Sequence, residues 1–332
     1  MSMMPFRLSR RALLGSAPLL AVPLGGRRAR AAESDFQAFL AGVRRDAAAQ
    51  GVRLATLDLA FRSVQFLPHV VELDQRQPER KLTFSEYLAK VVTQQRLEDA
   101  RQHLVDNWQL LQRVSQRYRV QPRFVVALWG VESDFGRTMG DYFVPSSLAT
   151  LTFAGRRGPM FRGELIASLK ILDQGNVRPN AMMGSWAGAM GQCQFMPTTY
   201  LSYAVDFDGD GRRDIWNDRA DVLGSIANYI SRLGWRGNES WGRQVVLPPG
   251  FDERQAGPDN RRPIADWMRM GVRAVGNVPL TGHEADAAVV LPDGPGGTAL
   301  LVYDNFRVIK KWNNSTYFAA AVGYIADSID RG

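Results

Sequence analysis

Hydrophobic side chains recur every three or four positions through much of this chain, with polar residues between them. That spacing places apolar side chains on one face of a helix, which packs into a core. Two such faces lie between residues 35 and 120, and we expect their members to be buried. They are Phe36, Phe39, Leu40 and Val43 in the first, and Leu97, Leu104, Trp108, Leu111, Val114 and Tyr118 in the second. The polar run at residues 73–81 predicts a surface connection between them.

The hydrophobic spacing changes late in the chain. Three short apolar runs are bounded by Gly, Pro and Asp, which predicts a small sheet, with a helix at 264–270 within it. These runs are residues 245–249, 287–292 and 298–303. We therefore predict a mainly α (α+β) fold with a small β insertion. Its predicted parts are an N-terminal helical part (32–120), a core (121–235), a β-containing part (236–308) and a C-terminal helix that returns to the core (309–332).

Residues 1–31 have the features of an export signal. A basic start precedes an apolar stretch from Ala12 to Leu24, which is shorter than the roughly 20 residues that span a bilayer. Ala29–Ala31 then provides a small-x-small cleavage site. The two arginines in Ser9–Leu14 favour the twin-arginine route. No other segment approaches the apolar length that spans a bilayer, so we expect no further membrane segment. The sole cysteine, Cys193, is far from this leader, so we expect no lipid anchor and no disulfide. We predict a soluble, monomeric periplasmic protein.

Charge argues against a nucleic-acid partner. The formal net charge is +8, but six arginines lie before Ala32 with no acid among them, which leaves +2 for the rest of the chain. A chain so nearly balanced lacks the basic surface that binds phosphate backbones.

Glu132 is an acidic residue on the apolar face of a predicted helix. The run 124–136 predicts a short helix that begins at Pro122 and ends at Gly136, with Glu132 on the same stripe as Leu128 and Phe135. Desolvation raises the pKa of a carboxyl group in such a place, so that it holds a proton near neutral pH. That property suits a general acid. The alternative is a half-exposed glutamate at a helix end.

A calcium loop is predicted at residues 206–217. The oxygen ligands of an EF-hand loop stand at positions 1, 3, 5, 7 and 9, around a glycine at position 6. Here the carboxylates of Asp206, Asp208 and Asp210, the carbonyl of Arg212, and Asp214 through water occupy those positions around Gly211. Position 12 is Asn217 where a bidentate glutamate is usual, and Asp221 is the predicted replacement. The alternative is a turn rich in Asp and Gly that binds no ion; a bound ion would be structural.

Four segments together resemble the lytic murein transglycosylase B family (glycoside hydrolase family 103). In chain order they are Gly130–Gly136, Ser185–Pro197, the calcium loop, and Trp312-Asn313. The resemblance covers about residues 35–330. It implies a lysozyme-like core with a helical N-terminal part and a small β part, which agrees with the hydrophobic pattern.

The resemblance also implies a reaction on peptidoglycan glycan strands. Members cleave the β-1,4 bond between N-acetylmuramic acid and N-acetylglucosamine and form a 1,6-anhydro end without water. Ordinary glycosidases use two carboxylates. In this scheme Glu132 serves first as acid and then as base, the sugar's acetamido group stabilises the positive centre, and no organic cofactor is needed.

The resemblance implies five substrate-binding residues. Ser185 and Gln194 correspond to residues that contact the sugars beside the cleavage point, and Tyr229 to a tyrosine that faces the groove. Asn313 corresponds to a groove asparagine. Trp312 stands where relatives have tyrosine, so it can stack on a sugar but brings no hydroxyl group.

Two other functions stay open at this stage. A hydrolytic muramidase needs the same acid and admits water instead of the sugar's own hydroxyl. A non-catalytic peptidoglycan-binding module keeps the groove but not the chemistry, and the presence of Glu132 argues against it. A cysteine hydrolase is disfavoured, because none of the three histidines lies near Cys193 in the sequence.

Overall fold

Helices dominate the computed structural model, which describes residues 24–75, 82–155, 157–277, 280 and 285–329, with side chains from residue 34 onward. The N-terminal part consists of α1 (Leu24–Ala49), α2 (Leu54–Phe61), α3 (Pro68–Gln75), α4 (Phe84–Val91), α5 (Gln94–Asp106) and α6 (Trp108–Tyr118). Residues 1–23 of the predicted export signal lie outside the described residues, and residues 24–31 form the first turns of α1. None of the described helices has the length and hydropathy that crossing a bilayer requires.

The N-terminal hydrophobic faces are mostly buried as predicted. Phe36, Leu40, Val43, Leu111 and Val114 are in the core, and Phe39, Leu97, Leu104 and Tyr118 pack against it half-buried.

The prediction was wrong for Trp108, whose exposed fraction is 50%. The helix breaks at Asn107, where φ is −108° and ψ is 14°, and the residues before and after this break no longer share one face.

The predicted surface connection at 73–81 is also partly wrong. Its first residues form the last turn of α3, where Asp74 is buried. Residues 76–81 of this run lie outside the described residues.

The core is built around α7 (Pro122–Ser133), in which every residue from 124 to 130 is buried. Pro122 suits the first turn because proline has no N–H to leave unpaired. α7 ends at Ser133, and the next residue, Asp134, has a left-handed φ of 50°. The helix packs against α5, α6, α11 (Arg219–Arg232) and α14 (Thr316–Ile329). Buried on all sides, α7 holds its last residues in a fixed position.

The other elements between residues 121 and 312 complete the core. They are β1 (Tyr142–Phe143), α8 (Val144–Ala154), α9 (Gly158–Asp173), β2 (Met183–Gly184), α10 (Pro197–Tyr203) and α13 (Asp304–Trp312). The strands β1 and β2 pair antiparallel and were not predicted. The predicted C-terminal helix is present as α14, which packs against α7, whereas α13 before it was not predicted.

The predicted small sheet is present late in the chain. Its order is β4-β6-β7-β3-β5, and all neighbours are antiparallel. The elements are β3 (Gly242–Val246), β4 (Arg262–Pro263), α12 (Ile264–Arg269), β5 (Arg273–Ala274), β6 (Asp286–Val290) and β7 (Ala299–Val302).

The strands β6 and β7 of the small sheet are buried on both faces. Along β7, Leu300 and Val302 face the main core, whereas Ala299 and Leu301 face a second, smaller core around Trp267. Because successive residues of a strand point to opposite faces, one strand serves both cores. The sheet is therefore tied to the helical core through one of its faces.

Candidate active site

Glu132 and Trp312 meet at the centre of the candidate site. Glu132 is in the last turn of α7 and Trp312 is the last residue of α13. The indole Nε1–H of Trp312 donates a hydrogen bond to Oε1 of Glu132 at 2.6 Å. Both side chains are half-buried. The tryptophan therefore supplies the polar contact that the sequence left in doubt, through its N–H group.

Burial raises the pKa of Glu132 to about 7. The cause is desolvation, because an ionised carboxylate loses water that the protein does not replace. The hydrogen bond from Trp312 stabilises the charged form and lowers the pKa, but it is the smaller effect. The sequence prediction of a raised pKa is thus confirmed, and its cause is the predicted one.

Aromatic rings form one wall beside Glu132. The ring of Trp312 lies 4.8 Å from that of Tyr229 and 5.3 Å from that of Phe195, measured between centroids. Tyr229 in turn stacks on Tyr203 at 4.3 Å. The predicted residues Tyr229 and Trp312 are therefore brought together from helices α11 and α13. Rings of this size present the flat apolar surface that suits the face of a sugar.

Tyr87, which the sequence analysis missed, lies on another side of the site. The negative charge of Glu132 contributes to the raised pKa of the Tyr87 hydroxyl, after desolvation, which is the larger cause. Tyr87 belongs to α4, which begins with a capping box between Thr83 and Glu86. A tyrosine on a short helix 45 residues before Glu132 has nothing in its spacing that marks it as functional. Only the packing of α4 brings it there.

Asp134 is close to Glu132 in sequence, but its carboxylate is paired with two arginines. Arg137 Nε donates to Asp134 Oδ2 at 2.8 Å, and Arg96 Nε donates to Oδ1 at 3.4 Å. The hydrogen bond from Arg137 is the main reason that the pKa of Asp134 is lowered. Asp134 is therefore ionised at neutral pH and is unsuited to donating a proton.

A tight loop contact connects the end of α7 to the segment that carries Ser185 and Gln194. Gly140 has a φ of +85°, and a Cβ atom there would lie 2.3 Å from the carbonyl oxygen of Gly184. Gln194 Nε2 donates to the carbonyl of Met139 at 3.1 Å. Ser185 Oγ accepts from the N–H of Ala189 at 3.0 Å. Gln194 is thus held against the loop that follows Glu132, whereas the hydroxyl group of Ser185 is bonded within its own segment.

Asn313 is exposed directly after α13, next to Trp312. The structure records no contact between its side chain and Glu132, so its predicted role in binding sugars stays a prediction. Cys193 is buried, and the charge of Glu132 is a smaller contributor than desolvation to the raised pKa of its thiol. A thiol without access to solvent does not act as a nucleophile.

The predicted calcium loop brings three acids together. One carboxylate oxygen from each of Asp206, Asp208 and Asp210 lies within 4.8 Å of the others. Asp206 also accepts hydrogen bonds from the N–H groups of Gly209 and Gly211, at 2.7 and 2.9 Å. Carboxylate oxygens converging on one point, in a loop with glycines at positive φ, fit a hard cation such as Ca²⁺.

The remaining predicted metal ligands have other contacts. Asp214 Oδ1 accepts from the N–H groups of Trp216 and Asn217, both at 2.9 Å. Asp221 is buried, and its two carboxylate oxygens accept from the N–H groups of Phe207 and Asp214, both at 2.7 Å. It lies outside the cluster of three acids, so these contacts favour a role in bracing the loop.

The carbonyl of Arg212 stays a predicted ligand. Desolvation raises the pKa of Asp221 to about 6.

Comparison with known proteins agrees with this arrangement. Residues 35–327 match the family model described as a transglycosylase SLT domain. The chain is 36% identical over 225 residues to the membrane-bound lytic murein transglycosylase B of Escherichia coli (strain K12), a match that covers 66% of this chain and 60% of that relative. Aligned residues therefore span less than two thirds of the relative's length.

Two similar crystal structures hold ligands. SltB3 from Pseudomonas aeruginosa, in complex with NAG-anhNAM-pentapeptide, is 45% identical with a TM-score of 0.87, over 90% of this chain and 80% of that one. The Escherichia coli lytic transglycosylase Slt35 in complex with calcium is 30% identical with a TM-score of 0.73, over 89% and 92% of the two chains. The predicted lysozyme-like, mainly α fold is confirmed by these matches.

Proposed function

This chain belongs to the family of proteins with a transglycosylase SLT domain, and we propose that it is a lytic transglycosylase of peptidoglycan. Its substrate would be the β-1,4 bond between N-acetylmuramic acid and N-acetylglucosamine, and its product a 1,6-anhydro end. The observation that carries the proposal is the carboxyl group of Glu132, whose pKa of about 7 lets it hold a proton at neutral pH. The anhydro sugar bound by the SltB3 relative supports the same product.

In the first step Glu132 acts as a general acid. Trp312 donates to Oε1, so we place the transferable proton on Oε2. That proton goes to the glycosidic oxygen as the bond between this oxygen and C1 of the muramic acid breaks. The electron pair of the bond leaves with the oxygen. The acetamido oxygen of the same sugar then stabilises the positive charge at C1.

In the second step the ionised Glu132 acts as a base. It removes the proton from the 6-hydroxyl group of the same sugar as that oxygen bonds to C1, which closes the anhydro ring and restores the protonated acid. No water enters. The hydrogen bond from Trp312 stabilises the carboxylate between the two steps. A pKa near the working pH suits a residue that both gives and takes a proton.

The surroundings of Glu132 favour this scheme over one with two carboxylates. A second acid in a retaining or inverting glycosidase lies about 5 to 9.5 Å from the first. Among the described residues, burial and Trp312 account for the shifted pKa of Glu132, and no other acid contributes. Asp134, the nearest acid in sequence, is paired with two arginines.

Product analysis tests the proposal directly. Purified sacculi are digested with the protein, and the soluble fragments are weighed by mass spectrometry. We expect fragments one water lighter than the corresponding reducing ends. Fragments with reducing ends would instead identify a hydrolytic muramidase, and sacculus binding without cleavage would identify a non-catalytic module.

The contact between Trp312 and Glu132 yields a prediction on pH. Activity requires protonated Glu132, so the rate falls as pH rises through about 7. Trp312→Phe keeps a ring but removes the hydrogen bond that stabilises the carboxylate. The pKa of Glu132 then rises, and the falling limb of the pH–rate profile moves to higher pH. Trp312→Tyr serves as the matched control, because a phenol can donate where Phe cannot. If the falling limb of the profile stays at the same pH in Trp312→Phe, the role assigned to Trp312 is wrong.

We further propose that the loop at residues 206–214 binds one Ca²⁺ in a structural role. Asp206, Asp208 and Asp210 would hold it with their carboxylates, joined by the carbonyl of Arg212 and, through water, Asp214. The calcium complex of Slt35 supports this assignment. Helix α11 connects the two sites, because α7, which carries Glu132, packs against it and because Asp221 of α11 accepts hydrogen bonds from the N–H groups of Phe207 and Asp214.

Calcium should therefore stabilise the fold. An ion that binds only the native state at a concentration 100 times its dissociation constant contributes about 2.7 kcal/mol, which is a rise in Tm of several degrees. We expect this rise for the full chain on adding calcium after chelation, and its loss in Asp208→Ala. Asp259→Ala, which removes an exposed aspartate elsewhere, should keep the response. An equal melting temperature with and without calcium would argue against the site.

Residues 1–31 would direct the chain to the periplasm by the twin-arginine route, where a soluble monomer would meet its substrate. Replacing Arg10 and Arg11 by lysine tests this point: the protein should then stay unprocessed in the cytoplasm. Sedimentation of the exported protein would check that it is a monomer.

A further inference from the structure

A cavity of about 870 Å³ opens at the break between α5 and α6, away from Glu132. Trp108 lines it with half of its surface exposed, and Val105 beside it is 70% exposed. No other tryptophan is among the exposed large hydrophobic residues of the described chain. A tryptophan with an open face next to a cavity is a common anchor of binding sites.

The break at Asn107 creates this exposure. Asn107 Nδ2 donates to the carbonyl of His103 at 2.8 Å, and its Oδ1 accepts from Arg219 at 3.4 Å. These contacts fix the kink, and α6 then buries Leu111 and Val114 while Trp108 stays at the surface. The ring is therefore held in its exposed position by the backbone.

The lining of the cavity is rich in amides and has no net charge. Asp106 and Arg113 offset each other, and the side-chain amides of Gln109 and Gln112 make no hydrogen bond within the described part of the chain. Gln112 is one turn after Trp108, so it lies beside the ring. An anion would find no excess positive charge here. A neutral ligand with one flat apolar face and hydroxyl groups at its edge matches both features.

We propose that this cavity binds a pyranose ring of a glycan strand. The C–H face of the sugar would stack on the indole of Trp108, and its hydroxyl groups would bond to the amides of Gln109 and Gln112. This inference rests on the proposed function, because the strand would be the peptidoglycan glycan whose cleavage is assigned to Glu132.

The cavity is separate from the place where the sugar is cleaved. Its lining consists of residues between Val105 and Arg113, and it includes neither Glu132 nor any member of the aromatic wall beside Glu132. A strand of several sugars could contact both places, whereas a short fragment could not. Two linked contacts raise affinity for the polymer without changing the chemistry.

Binding of long glycan strands tests the site. The full chain is studied as Glu132→Gln, so that no turnover occurs, against sacculi, peptide-free glycan strands and a disaccharide-peptide fragment. Adding Trp108→Ala should weaken binding to sacculi and to peptide-free strands at least fivefold and leave binding of the fragment unchanged. Trp108→Phe, which keeps a smaller ring, should lie between. In protein with intact Glu132, Trp108→Ala should lower the rate on sacculi only.

A matched control separates stacking from loss of surface hydrophobicity. Leu59→Ala removes a side chain of similar exposure, 49%, on α2 and should leave all three affinities unchanged. Unchanged strand binding in Trp108→Ala contradicts the proposed site. A loss confined to peptide-bearing sacculi also contradicts it, because the ligand would then be the peptide. If the Glu132→Gln protein with Trp108 intact binds no sacculi, the proposed function itself is wrong, and the proposed sugar site is wrong as well.

Discussion

Turnover of peptidoglycan should fall by about 10³-fold or more in Glu132→Gln, because glutamine keeps the size of the side chain but cannot donate or accept the proton. Binding should survive, since the amide oxygen still accepts the hydrogen bond from Trp312. The measurements are the release of soluble fragments from sacculi, and sedimentation of the protein with sacculi.

Asp134→Asn provides the matched control for this loss. It also neutralises an acid, only two residues further on, and asparagine tolerates the left-handed φ of 50° at that position. Its rate should stay within about tenfold of the parental rate, because Asp134 pairs with Arg96 and Arg137 and is ionised. A parental rate in Glu132→Gln, or an equal loss in Asp134→Asn, would show that the acid has been misassigned.

The pH dependence of protein stability gives a second test of the raised pKa of Glu132. The pKa of Glu132 is about 7 in the folded protein, against an ordinary value of 4.5, so the folded chain binds the proton more tightly than the unfolded chain. The free energy of unfolding therefore falls as pH rises from about 4.5 through about 7. Glu132→Gln removes this penalty and should be more stable than the parent by about 1 to 3 kcal/mol at pH 8. The difference should be absent at pH 4.

Gly140→Ala should cost about 2 to 4 kcal/mol of stability and reduce activity about tenfold or more. An alanine would be strained at a φ of +85°, and its Cβ would lie 2.3 Å from the carbonyl oxygen of Gly184. Both partners are backbone, so the clash is relieved only if the segment that carries Ser185 moves. Denaturant unfolding measures the first effect, and the rate on sacculi measures the second.

Gly163→Ala is the control, because it adds the same methyl group at a position where there is space for it. Gly163 is within α9, and a Cβ there would meet nothing within 4 Å. Alanine favours the helix over glycine by roughly 1 kcal/mol, so this variant should be slightly more stable and fully active. If Gly140→Ala proved as stable as Gly163→Ala, the close contact between the two loops would be refuted.

Local patterns in the sequence predicted much of the fold and identified Glu132 as an acid on an apolar helix face. The mainly α fold with a late sheet follows from hydrophobic spacing, which reflects the period of each element. The start of the helix with Glu132 was predicted correctly at Pro122 because capping preferences are local, whereas the helix ends at Ser133, three residues before the predicted end at Gly136. The three acids of the predicted calcium loop lie close together because they are at alternate positions of one short turn.

Contacts between distant segments decided the rest. The hydrogen bond from Trp312 to Glu132 joins residues 180 positions apart, and Tyr87 reaches the site only through the packing of α4. The spacing that placed Trp108 in the core assumed one continuous helix, which the kink at Asn107 breaks. By itself the sequence determined most of the helices, the late sheet and the presence of an acid on an apolar helix face, because these depend on neighbours along the chain. Tertiary structure alone decided what surrounds that acid, because its pKa and its partners depend on which side chains packing brings together.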